Sequence, residues 1–155
     1  MNTLTALALS IGVLIAIWTY VAVGLVTELS VWAGIVAWGC FFAAGGKIQG
    51  FQKAAFANLS GLIYVLIITQ LLSHLGGGTP VLALLVGVIA FLMVMQSKLA
   101  ALAFIPGAFI GAAVTVGSGA KDARSYVMLA ASLVIGAFLG YLSETLAGAF
   151  KRKAA

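Results

Sequence analysis

Leu62-Ile63-Tyr64-Val65-Leu66-Ile67-Ile68 is the stretch that decides the fold. It shows no alternation of apolar and polar positions, and neither does Val81-Leu82-Ala83-Leu84-Leu85-Val86. A bilayer admits only helices and closed barrels, because backbone groups there find no water to bond. A barrel strand alternates its lipid and lumen faces over about ten residues. These runs do not, so they read as helix. The rest of the chain agrees. Of 155 residues, 64% are hydrophobic and 7% are charged, against about 25% charged in soluble domains. A soluble globule of this size buries only about 70% of its unfolded surface and needs charge on the remainder. Composition therefore excludes a water-soluble enzyme, a disulfide scaffold and a disordered chain. It predicts an all-α integral membrane protein, with residues 1–155 as one transmembrane domain.

Six spans are expected. The first runs from Thr3 to Val26. It lacks the basic start and small-residue cleavage site of a signal peptide and is longer than a signal core, so it reads as a retained helix. The second, from Ser30 to Gly45-Gly46, is short for a hydrocarbon core of about 30 Å. The third runs from about Phe51 to Ser73 and stops at His74 and Gly76-Gly77-Gly78-Thr79-Pro80. The fourth runs from Pro80, a favoured residue in a first turn, to Gln96. The fifth, Leu99 to Val116, contains Pro106, which is expected to break it by removing a hydrogen bond and clashing with the Leu102 carbonyl. The sixth runs from Arg124 to about Phe150, ahead of Lys151-Arg152-Lys153.

Charge gives the orientation. Lys47, Lys53, Lys98, Lys151, Arg152 and Lys153 fall on one side of a six-span chain, and Lys121 and Arg124 on the other. The excess over short loops places both termini in the cytoplasm. The basic residues stand singly or in small groups and form no stripe, so the partners expected are membrane lipids, not nucleic acid. The basic tail is expected to meet anionic headgroups. The chain also divides into halves of three spans, about 3–75 and 79–150. An offset of 73 to 75 lays Gly12 on Gly87, Gly34 on Gly107, Gly46 on Gly119 and Gly61 on Gly136. An odd number of spans per half makes this an inverted repeat, a plan frequent in transporters. Gly34 and Gly107 are then expected to cross near each other. The small-residue pairs Gly107/Gly111 and Gly136/Gly140 allow close helix contact.

Ser30-Val31-Trp32-Ala33-Gly34, the Gly45-Gly46 pair, Ala90-Phe91-Leu92-Met93-Val94-Met95-Gln96-Ser97-Lys98 and Phe104-Ile105-Pro106-Gly107-Ala108-Phe109-Ile110-Gly111-Ala112 together resemble a family of small bacterial inner-membrane proteins, the domain of unknown function 1097. The likeness covers nearly the whole chain. It implies a multi-pass protein of the bacterial inner membrane and carries no activity or site residue with it. More distantly, Trp32-Ala33, the glycine pair and the small residues of span three look like the membrane domain of aromatic-acid and fusaric-acid exporters, which implies transport.

The residues themselves offer no enzyme chemistry. There is no His-Glu-x-x-His, no phosphate-binding loop and no Gly-x-Ser-x-Gly. The single cysteine, Cys40, and the single histidine, His74, are far apart in sequence. No cofactor or metal is expected. The three acidic residues avoid the span centres, where a proton-coupling group belongs; Glu144 is expected to pair with Lys151 or Lys98. Uncharged polar groups remain. Asn58 is the strongest, since an amide in hydrocarbon must find partners. Gln96 ends span four on the same predicted face of the membrane. Trp38 and Phe41 lie on the short span, and Pro106 and Gly107 mark the break. These six are the candidate path-lining residues of a small transporter or channel, working as a homo-oligomer on a small uncharged or weakly charged organic solute. The alternative is a structural or accessory protein packed against a partner. A path gathers Asn58, Gln96, Trp38 and Pro106-Gly107 around one cavity; an accessory protein scatters them or pairs them directly.

Overall fold

A computed structural model describes residues 2–153 of the chain, with side chains as far as Phe150. The described residues form six α-helices: α1 (Thr3–Tyr20), α2 (Val31–Ala43), α3 (Lys47–Leu75), α4 (Thr79–Met95), α5 (Ile105–Ser118) and α6 (Ala123–Lys153). Four segments are long and apolar enough to cross a membrane: Thr3–Leu25, Lys47–Leu75, Thr79–Lys98 and Ala123–Phe150. α2 and α5 have 13 and 14 residues, about 20 Å each at 1.5 Å per residue.

Local chemistry sets the boundaries. Asn2 accepts the Thr5 N–H at 2.7 Å and starts α1, which ends in a π-helical turn, Val21–Leu25. Ser30 accepts the Ala33 N–H at 3.4 Å ahead of α2. Gly45 and Gly46 both take positive φ, 100° and 68°, a region open to glycine, so the chain reverses at once. α3 consequently begins at Lys47 and not at Phe51 as the apolar pattern predicts. Asp122 accepts the Ser125 N–H at 2.9 Å and caps α6.

The fifth span differs from its expectation. Pro106 does not break a helix running from Leu99. After α4 the chain makes two 3-10 turns, Gln96–Lys98 and Ala100–Leu102. Phe104 is non-helical (φ −84°, ψ 77°), and Pro106 stands in the first turn of α5. A first-turn residue has no N–H bond to lose, so Pro106 is tolerated there without a kink.

Two groups of three helices make the bundle. In one, α2 lies along α6 in the same direction and α1 packs against both. A Cβ on Gly136 would strike the Gly34 backbone, and Trp18 covers Gly34 from α1. In the other, α5 lies along α3 in the same direction. A Cβ on Gly61 would strike the backbone of Ala108 and Ala112, and one on Gly111 that of Asn58. α4 packs on this pair through Ile89 and Met93 against Ala108, Tyr64 and Ile68. Gly34 and Gly107 therefore do not cross: Gly34 meets Gly136, and Gly107 faces Phe104 and Ala57. The groups join through Ala33, Ala37, Leu62, Val114, Tyr126, Leu129 and Leu133.

Candidate functional site

Asn58 projects from the middle third of α3 and is 0% exposed. Neither Nδ2 nor Oδ1 has a hydrogen-bond partner. The Cys40 thiol of α2 lies beside it without completing a bond. Cys40 belongs to a small-residue cluster with Ala54, Ala55 and Ala137. The amide thus sits where α2 and α6 meet α3 and α5. The other buried polar side chains, Ser10, Thr115, Ser132 and Ser143, all donate to backbone carbonyls: Leu7 and Ser143, Gly111, Met128, and Gly140 respectively. An unpaired buried amide costs about 1–3 kcal/mol relative to a paired one, which sets Asn58 apart.

The other five candidates are not gathered around it. Trp38 is buried and donates its Nε1–H to Ser143 Oγ at 3.2 Å. Phe41 is buried against Gly140 and stacks edge-on with Phe42. The Gln96 amide donates to Ser60 Oγ at 3.0 Å, two residues along α3 from Asn58 and so on a different face of that helix. Pro106 is exposed, and Gly107 is buried with 2.8 Å from its would-be Cβ to that of Ala57. Of four cavities described, none is lined by any of the six, so the one shared cavity expected of an open path is not found among them, and Trp38 and Gln96 are paired directly as expected of an accessory protein.

The largest of these, about 460 Å³, is a cleft between α3, α4 and α5 walled by residues such as Ile68, Ile89, Met93, Phe109 and Ala112. Its wall is almost purely apolar, so it suits a hydrocarbon tail. At one end of the bundle a second cavity, about 160 Å³, is lined by Glu28, Ser30, Trp32, Ser118, Ser125 and Leu129. Glu28 forms an ion pair with Arg124 at 2.6 Å here. The Ser125 bonds to Asp122 hold that carboxyl below its ordinary value. Sequence reasoning missed this polar mouth, because Glu28 and Arg124 are 96 residues apart. At the opposite end Glu144 accepts the Lys47 backbone N–H at 2.6 Å. The expected pairing with Lys98 is not found among the described residues, and the one with Lys151 lies outside the described side chains. The lipid contact expected of Lys151, Arg152 and Lys153 lies outside the described side chains. No group of three or more His, Cys, Asp or Glu able to hold a metal occurs among the described residues.

Comparison with known proteins gives relatives along nearly the full length. The chain is 37% identical over 145 residues to inner membrane protein YcdZ of Salmonella typhimurium, covering 91% of this chain and 85% of that one. YcdZ of Escherichia coli K12 is 36% identical over 146 residues, with coverage of 91% and 83%. The uncharacterized protein YahC of the same organism is 29% identical over 153 residues, covering 93% and 90%. No solved structure matches the chain. The family described as protein of unknown function, DUF1097, matches residues 8–148, and the chain belongs to that family.

Proposed function

We propose that the protein carries a small, uncharged or weakly charged organic solute across the bacterial inner membrane. The observation that carries this reading is the Asn58 amide, wholly buried and unpaired where the two helix groups meet. A polar group left open inside an apolar bundle is costly, and a passing solute supplies the missing partner. The halves 3–75 and 79–150 act as inverted repeats. Equivalent helices begin at Thr3 and Thr79, Val31 and Ile105, Lys47 and Ala123, which are 76, 74 and 76 positions apart. Leu14 and Trp18, buried on α1, answer to Ile89 and Met93 on α4, 75 positions on. Each short helix packs on the long third helix of the other half. Solute sites of such transporters lie at the repeat interface near mid-membrane, which is where this reading puts Asn58. The arrangement described is then the closed form.

The basic excess orients both termini to the cytoplasm and the Glu28–Arg124 mouth to the periplasm. A reporter active only in the periplasm, fused after Ala155, is expected to stay inactive; high activity overturns the orientation. Assembly of copies into a homo-oligomer completes the proposal, since α4 leaves Leu84, Val88, Phe91 and Val94 exposed.

The direct pairing of Trp38 with Ser143 favours a second reading, an accessory protein packed against a partner without a path. Proteoliposomes separate the two. Reconstituted protein is expected to speed the entry of at least one small neutral solute over protein-free vesicles. No acceleration for any of a panel of amides, polyols and weak acids leaves the accessory reading.

A further inference from the structure

Resting on the transport reading above, we infer that Asn58 anchors a small neutral solute bearing a carboxamide or urea group. Both edges of its amide are open: Nδ2 lacks an acceptor and Oδ1 lacks a donor. A second planar amide answers both at once, through two antiparallel N–H···O bonds. A hydroxyl can donate and accept, but it cannot make that pair of bonds with one atom. Charged solutes are excluded by what surrounds the site. The buried polar side chains are Ser10, Asn58, Thr115, Ser132 and Ser143, and none is ionisable in the working range. An ion here has no counter-charge, and an uncompensated charge in a low-dielectric interior is strongly disfavoured.

Size follows from the surroundings. Cys40 and the Ala54, Ala55 and Ala137 side chains clustered with it are small, Phe51, Phe104 and Ile110 close over that cluster, and Gly111 packs on the Asn58 backbone. When the two helix groups separate slightly, they leave room for a few heavy atoms, the size of urea or acetamide. The selectivity comes from hydrogen bonding. A site built to pair a polar group rejects the analogue lacking it, because its own groups are then left buried and open.

The test uses the full chain in two settings. In proteoliposomes, entry of acetamide and urea is compared with that of glycerol, acetate and methylammonium, for the natural protein and for Asn58→Leu. In detergent, the Asn58 side-chain amide signal is identified by its loss in Asn58→Leu and followed by nitrogen-15 NMR as acetamide is added. Amides are expected to enter at least tenfold faster than glycerol, and Asn58→Leu to erase that preference while leaving thermal stability unchanged or raised. The Asn58 signal is expected to shift saturably with acetamide and not with glycerol. If glycerol and acetamide enter alike, or Asn58→Leu leaves the preference intact, the amide assignment is overturned and transport stands. If no solute enters yet the signal shifts saturably, transport falls and the amide site stands. If no solute enters and no shift occurs, both fall.

Discussion

Gly61 and Gly136 hold the two close crossings. Any Cβ on Gly61 runs into the Ala108 and Ala112 backbone, and any Cβ on Gly136 into that of Gly34. Backbone cannot step aside as a flexible side-chain end does. Gly61→Ala and Gly136→Ala should each lower stability by about 1–3 kcal/mol, the range for overpacking. Gly12 and Gly87 are the controls, since nothing lies within 4 Å of a Cβ there; alanine at either should stay within about 1 kcal/mol of neutral. Thermal unfolding in detergent reads all four, and equal losses at the four positions would show that the crossings are not close. Much of this scale was readable in the sequence. The amide of Asn58 stood out as an interior polar group, and Gly61 and Gly136 fell on one another by offset. What each glycine touches was not readable, because any apolar, glycine-rich helix offers several equally good partners. That is why Gly34 was expected against Gly107 and lies against Gly136.

At the scale of elements, the start of α5 and the start of α6 make opposite demands on their first residues. Pro106 occupies the first turn of α5, and the Gly107 N–H reaches back to the Phe104 carbonyl at 3.0 Å. Pro106→Ala should then change stability by less than about 1 kcal/mol, whereas relief of a mid-helix proline would gain about 3 kcal/mol. A rise of that larger size in the unfolding measurement would restore the broken helix. α6 depends on Asp122, which accepts the Ser125 N–H at 2.9 Å. Its folded value is lowered from 3.8 by Ser125. A carboxyl lowered on folding stabilises the native state above its unfolded value and loses that contribution as pH falls through the folded one. The stability difference between the natural protein and Asp122→Ala should be constant at neutral pH and shrink only below about pH 4. A difference that holds to pH 2 would mean the cap is not electrostatic. The long helices were legible from their apolar runs. The loss of residues 99–104 from α5 was not, since Ala100-Ala101-Leu102 is as apolar as any helix and only the register of Pro106 in a first turn separates the two cases.

The whole molecule is tied unevenly. Within the first group, polar links run the length of α2: the Ser30 N–H to Ser132 Oγ at 2.9 Å, Trp38 to Ser143, and Trp18 Nε1–H to the Val31 carbonyl at 3.1 Å. Within the second, Gln96 bonds Ser60. Between the groups, among the described residues, one side-chain hydrogen bond joins a helix of one to a helix of the other, from the Lys47 N–H to Glu144. It lies where α2 turns into α3 through Gly45 and Gly46, both at positive φ. Apart from Asn58 the rest of the seam is apolar, with Ala33, Leu62, Val114 and Leu133 in contact. Such a seam opens without breaking directional bonds, while each group moves as a unit. Cys40, the chain's one cysteine and only 2% exposed, sits on that seam beside Asn58. It is therefore a native probe of whether the groups part. In vesicles held under native conditions, the small neutral reagent methyl methanethiosulfonate should modify Cys40 at least tenfold faster than the protein unfolds globally, and Cys40→Ser should abolish the modification. Glu144→Ala removes this link across the seam and should speed the reaction further without lowering the yield of folded protein. If Cys40 reacts only as fast as the bundle unfolds, the groups do not separate, and the chain is a fixed packing surface with no moving seam for a solute to cross.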